Sequence, residues 1–187
     1  MRVKSRQLPV VLLLASLPLL ASGCSPKAAV PAPPPTADAE PLFASDEKAL
    51  AAAEAAFEEY LDVAFAVFNN PTGGANALEG VAVGEVLETD TERAEKYADQ
   101  GLRQASRPVT IETRLQQYVP SAGIDEVITY TCIDALSFEL VNQDGQSLSD
   151  PDRAKTIVVE NSFIEVGDAG LMLRESNLWS EGETCEF

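Results

Sequence analysis

Ala-Lys-Thr-Ile-Val-Val-Glu-Asn-Ser-Phe-Ile-Glu-Val at residues 154–166, Gly-Asp-Ala-Gly at 167–170 and Leu-Met-Leu-Arg-Glu-Ser-Asn-Leu-Trp at 171–179 form the stretch that decides the fold. A first run rich in β-branched residues and a second that opens on Leu-Met-Leu and ends on Leu-Trp flank a four-residue glycine-bounded connection, which is the pattern of an antiparallel hairpin. The side-chain period of a strand is two. Val158, Glu160, Ser162, Ile164 and Val166 therefore share one face of the first run, and Ile157, Val159, Asn161, Phe163 and Glu165 share the other.

Working backwards, the same period governs most of the chain after Arg107-Pro108. Val109, Ile111, Thr113, Leu115, Gln117 and Val119 alternate with Thr110, Glu112, Arg114, Gln116 and Tyr118, predicting a long half-buried strand that Pro120 stops. Ser121-Ala122-Gly123 reads as a turn, 125–134 as a second strand and 137–141 as a short third one. Asn142-Gln143-Asp144-Gly145 is a tight-turn sequence. Asn142, Asp144 and Gly145 also echo a calcium loop, but that frame would put Leu140 and Pro151 where the essential carboxylates belong, so a turn is the better reading. No metal ligand set and no cofactor motif is predicted.

Before residue 107 the period is helical. Ser45-Asp46-Glu47 is an N-cap followed by first-turn acids. Leu50, Ala53, Phe57, Tyr60, Leu61, Ala64, Phe65 and Phe68 then recur at three- and four-residue steps, predicting a helix over 46–68. A shorter second helix is expected around Leu78 and Val81, weakened by Gly80 and Gly84. A third is expected from Val86 to Leu102, with Glu88, Asp90, Glu92, Arg93, Glu95, Lys96 and Asp99 on its solvated side and Gly101 ending it.

The first 44 residues follow another logic. Arg2, Lys4 and Arg6 precede the apolar run Leu8–Leu20, which falls short of the roughly 20 residues a membrane span requires. Ala21-Ser22-Gly23 supply small residues at a cleavage site, so 1–23 reads as a signal peptide. With Cys24 next, Leu-Leu-Ala-Ser-Gly-Cys at 19–24 resembles a bacterial lipobox, although Ala21 stands where that motif most often has leucine. The resemblance makes Cys24 the acylated first residue of the mature chain. Pro26, Pro31, Pro33, Pro34, Pro35 and Pro41 are half of the chain's 12 prolines, so 24–44 reads as a lipidated, polyproline-like tether and 45–187 as one domain.

Charge narrows the partners. With 13 basic and 30 acidic residues the net charge is −17, and cleavage removes three of the cations. Nucleic acid is excluded, because binding phosphates requires clustered cations. Anionic lipid would repel such a domain, so the lipid on Cys24 must hold it at the membrane. Acylation of Cys24 also leaves Cys132 and Cys185 as an even pair in a compartment where disulfides persist, and they are predicted to be bonded. They lack the Cys-x-x-Cys spacing of a redox pair. The absence of histidine removes the commonest general base and metal ligand together.

Helices followed by a long antiparallel meander describe an α+β chain, with three N-terminal helices packed on a curved sheet. Gly-Glu-Val-Leu at 84–87, Tyr-Thr-Cys-Ile-Asp at 130–134, Val-Asn-Gln-Asp-Gly at 141–145 and Leu-Trp-Ser-Glu-Gly-Glu-Thr-Cys at 178–185 are similar to stretches of the NTF2-like lipoproteins of actinobacteria. That resemblance implies a cone-shaped domain over about 46–187, a bond between the strand cysteine and the terminal cysteine, and an extracytoplasmic position on the cell membrane.

Three functions are expected candidates. The first is a non-enzymatic binding or interaction module of the cell envelope. It would take a small apolar ligand or an envelope protein, with Phe57, Tyr60, Tyr130 and Trp179 as pocket residues. The second is a pocket enzyme using Asp/Tyr acid–base chemistry, with Tyr118, Asp125, Tyr130, Asp134 and Glu139 on or near the strands. A buried aspartate hydrogen-bonded to a tyrosine in an enclosed cavity would favour it over the first. The third, an accessory role in cell-wall synthesis, rests on fold analogy. Intact mass of the membrane fraction should show a chain beginning at Cys24 with added acyl mass. A chain still starting at Met1, without that mass, would overturn the lipoprotein reading.

Overall fold

The computed structural model describes residues 41–120 and 124–187. The expected signal peptide, Cys24, the tether up to residue 40 and the turn at 121–123 lie outside the described residues. The described chain is α+β: two helices pack on an antiparallel sheet.

Helix α1 spans Asp46–Asn69. Ser45 caps it in an extended conformation, its hydroxyl accepting from the Lys48 N–H at 3.4 Å, and Asp46 and Glu47 sit at the positive end of the helix dipole. Pro71 cannot continue an α-helix and opens a short 3-10 turn at Pro71–Gly73 instead.

The expected second helix is a five-residue 3-10 turn, Asn76–Gly80, so the described residues form two α-helices and not three. Only Leu78 of this turn is buried, too little apolar surface to hold a longer helix. The backbone that follows is drawn elsewhere: the Val83 N–H donates to Leu173 O at 2.9 Å and the Leu173 N–H to Val81 O at 3.1 Å. Helix α2, Gly84–Gln100, ends on Gly101, whose φ of 64° is left-handed. That conformation favours glycine, and a Cβ there would also displace the exposed Gln143 side chain that lies against it.

Strand β1 (Arg103–Ser106) is absent from the periodicity and pairs antiparallel with β4 (Glu139–Val141) in a small two-stranded sheet. The main sheet has the order β2-β3-β5-β6, formed by Val109–Val119, Glu126–Asp134, Thr156–Glu165 and Leu171–Gly182. The expected uninterrupted meander is therefore broken, because β4 leaves the main sheet to join β1. Every neighbour in the main sheet is antiparallel, and irregularities at Thr110/Glu112, Leu115/Gln117, Val158/Val159 and Ser162/Phe163 bend the strands.

One face of this sheet receives the helices. Val127 and Ile133 of β3, Phe163 of β5 and Leu173 of β6 join the core with Ala53, Phe57, Leu61, Ala64 and Phe68 of α1. Phe57 meets Phe163 edge to face, with ring centroids 6.4 Å apart. The opposite face carries Tyr130 and Cys132, and the chain's end folds back over it. Cys132 and Cys185 form a disulfide with Cα atoms 5.7 Å apart, and the Arg114 guanidinium lies 4.2 Å from the centre of the Phe187 ring.

The disulfide closes a separation of 53 residues, which in the chain-entropy model stabilises the fold by about 4 kcal/mol. Urea unfolding with and without reductant should differ by roughly 2–4 kcal/mol. Equal midpoints in the two conditions would count against any structural role for the bond.

Candidate functional site

Among the described residues, hollows lie along the helix-covered face of the sheet, one of about 270 Å³ between α1 and β2 beside Glu54, Glu58 and Thr110, and three others that share or adjoin one another. The most spacious, about 340 Å³, is bordered by Pro108, Ile133, Ala135, Phe138, Ala154 and Ile157, with Arg153 and Glu181 alongside. It is an apolar seat, since the Arg153 guanidinium is committed to its own loop: it donates to the carbonyls of Ala135 and Phe138, each at 3.0 Å, and of Asp150 at 2.9 Å. A second hollow of about 160 Å³ shares Pro108, Ile133 and Phe138 with the first and continues onto Phe57, Phe65 and Phe68 of α1. A third, about 190 Å³, is polar: Glu85, Thr89, Asp90, Arg93, Tyr60 and Ser176 border it. Tyr60, Arg93 and Ser176 belong to both the second and the third.

The polar hollow is built around Asp90, which is 2 % exposed. The Tyr60 hydroxyl donates to Asp90 Oδ2 at 2.6 Å, and Arg93 Nη1 lies 2.9 Å from Oδ1. Each carboxylate oxygen therefore has a partner, as a buried carboxylate requires. Arg93 reaches this position because α2 carries it one turn after Asp90, and its guanidinium also lies 5.4 Å from the centre of the Phe68 ring. Burial raises the Asp90 pKa above its ordinary 3.8, opposed by the Tyr60 hydrogen bond and by the Arg93 charge. Burial, and then the Asp90 charge, push the Tyr60 phenol far above its ordinary value, so it remains a donor at every accessible pH.

The residues singled out in the sequence separate into three places. Phe57 and Tyr60 stack at 5.9 Å on the inner face. Tyr130 and Trp179 pack together at 4.8 Å on the opposite face, where Trp179 is 54 % exposed, so the four expected pocket residues do not share a pocket. The parity of β3 causes the split: Val127, Thr129, Thr131 and Ile133 point to the helices, and Tyr130 points away. Tyr118 and Asp125 do meet, with the Tyr118 hydroxyl donating to Asp125 Oδ2 at 2.7 Å. They secure the strand of chain leading into α1: the Leu42 N–H donates to the same Oδ2 at 2.6 Å and the Phe43 N–H to the Tyr118 oxygen at 3.0 Å. Asp134 Oδ1 accepts from the Leu136 N–H in the following turn, and Glu139 belongs to β4 beside β1.

No protein-family model matches the chain, and no curated protein does. Among solved structures it is similar to the intermembrane-space region of the chloroplast protein ARC6, at 16% identity and TM-score 0.47, with 71% of this chain and 97% of that chain covered. It is also similar to Aln2 from a Streptomyces species, at 12% identity and TM-score 0.41, with 72% and 90% covered. Likeness at this level carries nothing about chemistry.

Asp90 is the buried charged residue of the polar hollow that the sequence pattern does not single out. Among six other charged residues between Glu88 and Asp99 it looked like one more solvated group, whereas it and Ala94 lie on the buried side of α2. The signal that could have found it is the helical step Val86–Asp90–Ala94, which places it in line with two apolar residues. A raised folded-state pKa contributes stability that is fully present below about pH 4 and lost as pH rises through the raised value. Tyr60→Phe removes a group that favours the ionised form and raises that pKa further. It should cost about 1.5–3 kcal/mol at neutral pH and less near pH 4; a penalty that is constant between the two would show that the hydrogen bond is not made to an ionised Asp90.

Proposed function

We propose that the chain is a lipoprotein of the cell membrane, tethered through Cys24 on the extracytoplasmic face, whose domain is an NTF2-like cone acting as a binding module without chemistry of its own. Its ligand is a small apolar molecule. The observation that carries this reading is the apolar hollow of about 340 Å³ bordered by Ile133, Phe138, Ala154 and Ile157. Its size lies at the lower end of the range of small-molecule sites, and its mostly apolar border with few polar groups is their usual character. The tether would hold this hollow away from the bilayer, and an acidic surface would keep the domain from lying on anionic lipid.

The full chain in lipid nanodiscs, irradiated with a diazirine-bearing alkane, should be labelled saturably at Ile133, Phe138 or Ala154. Ala154→Phe, which fills the hollow from its partly exposed wall, should lower that labelling at least tenfold without changing the melting temperature by more than a few degrees. Labelling that does not saturate, or that ignores the filled wall, would end this reading.

One observation favours a second reading, an acid–base enzyme. Asp90 is a buried aspartate hydrogen-bonded to a tyrosine, and both border a hollow. Against it, each Asp90 oxygen is held by a fixed partner and the residue is 2 % exposed, so a substrate proton has little approach to the lone pairs that remain. Incubation of envelope extract with the wild-type chain and with Asp90→Asn, followed by mass spectrometry, separates the two: a compound consumed only by the wild type would make the enzyme the better account.

A further inference from the structure

Across the inner face of the sheet runs a row of four polar side chains. The Thr113 and Thr131 hydroxyls are 3.2 Å apart, Asn161 Nδ2 donates to Thr131 Oγ1 at 3.2 Å, and Ser176 Oγ donates to Asn161 Oδ1 at 2.8 Å. Thr131 and Asn161, the middle of the row, are fully buried, whereas Thr113 is half-buried and Ser176 lies at the exposed end. The consequence falls on Ser176. Its proton is used on Asn161, so toward the two hollows it borders it offers only oxygen lone pairs.

Arg93 borders the same two hollows and is its complement. A guanidinium has five N–H groups and no acceptor, and the ion pair to Asp90 uses one of them. Tyr60, the third shared residue, has already given its proton to Asp90. At the junction of the aromatic and polar hollows, a ligand therefore meets one acceptor and one donor side by side. Charge opposes a carboxylate head, and the donor and acceptor inventory opposes an ammonium. Glu85, Asp90 and Arg93 border the polar hollow, so a carboxylate head would be the third anion beside a single cation. An ammonium head would be attracted by the two acids but has no lone pair for Arg93 and would leave the remaining guanidinium N–H groups unmet. A hydroxyl satisfies both neighbours, donating to Ser176 Oγ and accepting from Arg93, while the aromatic hollow of about 160 Å³ takes a short apolar body against Phe57, Phe65 and Phe68.

We infer that the junction at Ser176 and Arg93 is a head-group site, and that the ligand class is a neutral amphiphile, an alcohol or hydroxylated lipid fragment with a short apolar body. The inference rests on the binding-module reading above and adds to it the chemistry of the ligand's polar end.

Three octyl photoprobes with the same mid-chain diazirine, an alcohol, a carboxylate and an amine, test it on the full chain in nanodiscs at neutral pH, with labelled residues mapped by mass spectrometry. The alcohol should label Phe57, Phe65 or Phe68 at least tenfold more efficiently than either charged probe, and unlabelled 1-octanol should compete. Ser176→Ala should erase the alcohol's advantage, and Ser176→Thr, which keeps the hydroxyl, should retain most of it. Equal labelling by the three probes, preference for a charged head, or labelling of the alcohol elsewhere overturns the inference. The wild-type comparison decides this even if Ser176→Ala fails to fold. If the head-group preference fails while the alkane probe still labels the apolar hollow saturably, only this inference falls; if no probe labels either hollow, the binding-module reading falls with it.

Discussion

Coverage of one sheet face by one helix is the constraint from which the rest of the domain follows. Four strands at about 4.8 Å spacing give a surface roughly 15–20 Å across, whereas a helix with its side chains is about 10–12 Å wide. Helix α1, fixed over the sheet by contacts such as Phe57 against Phe163, can cover the middle and leave the margins open. α2, the small β1–β4 sheet and the loop held by Arg153 close part of the remainder. The hollows are what is left. Their location beside α1 follows from a mismatch of widths, and their character depends on which side chains border the gap.

At one margin those side chains are polar, and this is where the domain departs from a plain apolar core. Asp90 is tolerated inside because Tyr60 comes from a different helix to meet one of its oxygens and Arg93 from its own helix to meet the other. The trio also joins α1 to α2 by a directional contact, where apolar packing would allow sliding. Removing Tyr60 would leave the carboxylate short of a partner in a site water scarcely reaches, so the aromatic stripe of α1 has one member whose hydroxyl matters as much as its ring.

Where one period runs without interruption, the local sequence is enough to set an element's limits. The alternation from Val109 to Val119 gave that strand its observed limits, and the stripe from Leu50 to Phe68 gave α1 within a residue. The glycine-bounded connection at 167–170 produced the hairpin of β5 and β6. Failures occurred where a distant partner decided the outcome. Residues 81–83 bond to the edge of β6 and so do not extend a helix through Val81. Arg103–Ser106 became a strand because Glu139–Val141 is available to pair with it. Tyr130 and Trp179 do not join Phe57 and Tyr60 in one pocket, because a strand's parity puts the two pairs on opposite faces of the sheet. Asp90 was hidden for the same reason: a charged residue is read as solvated until the tyrosine that satisfies it is known.

The fastening of residues 42 and 43 to Asp125 and Tyr118 has a mechanical meaning. Those two hydrogen bonds, together with the Phe43 ring against Tyr118, take hold of the chain before α1 begins. Asp125 in turn is joined to β5, since the Glu165 N–H donates to its carbonyl at 3.3 Å. Any pull on residue 41 is thus spread first into the β2–β3 hairpin and its neighbour, and reaches the first turn of α1 only after those contacts yield. The arrangement works as strain relief, like the clamp that grips a cable ahead of its soldered joint.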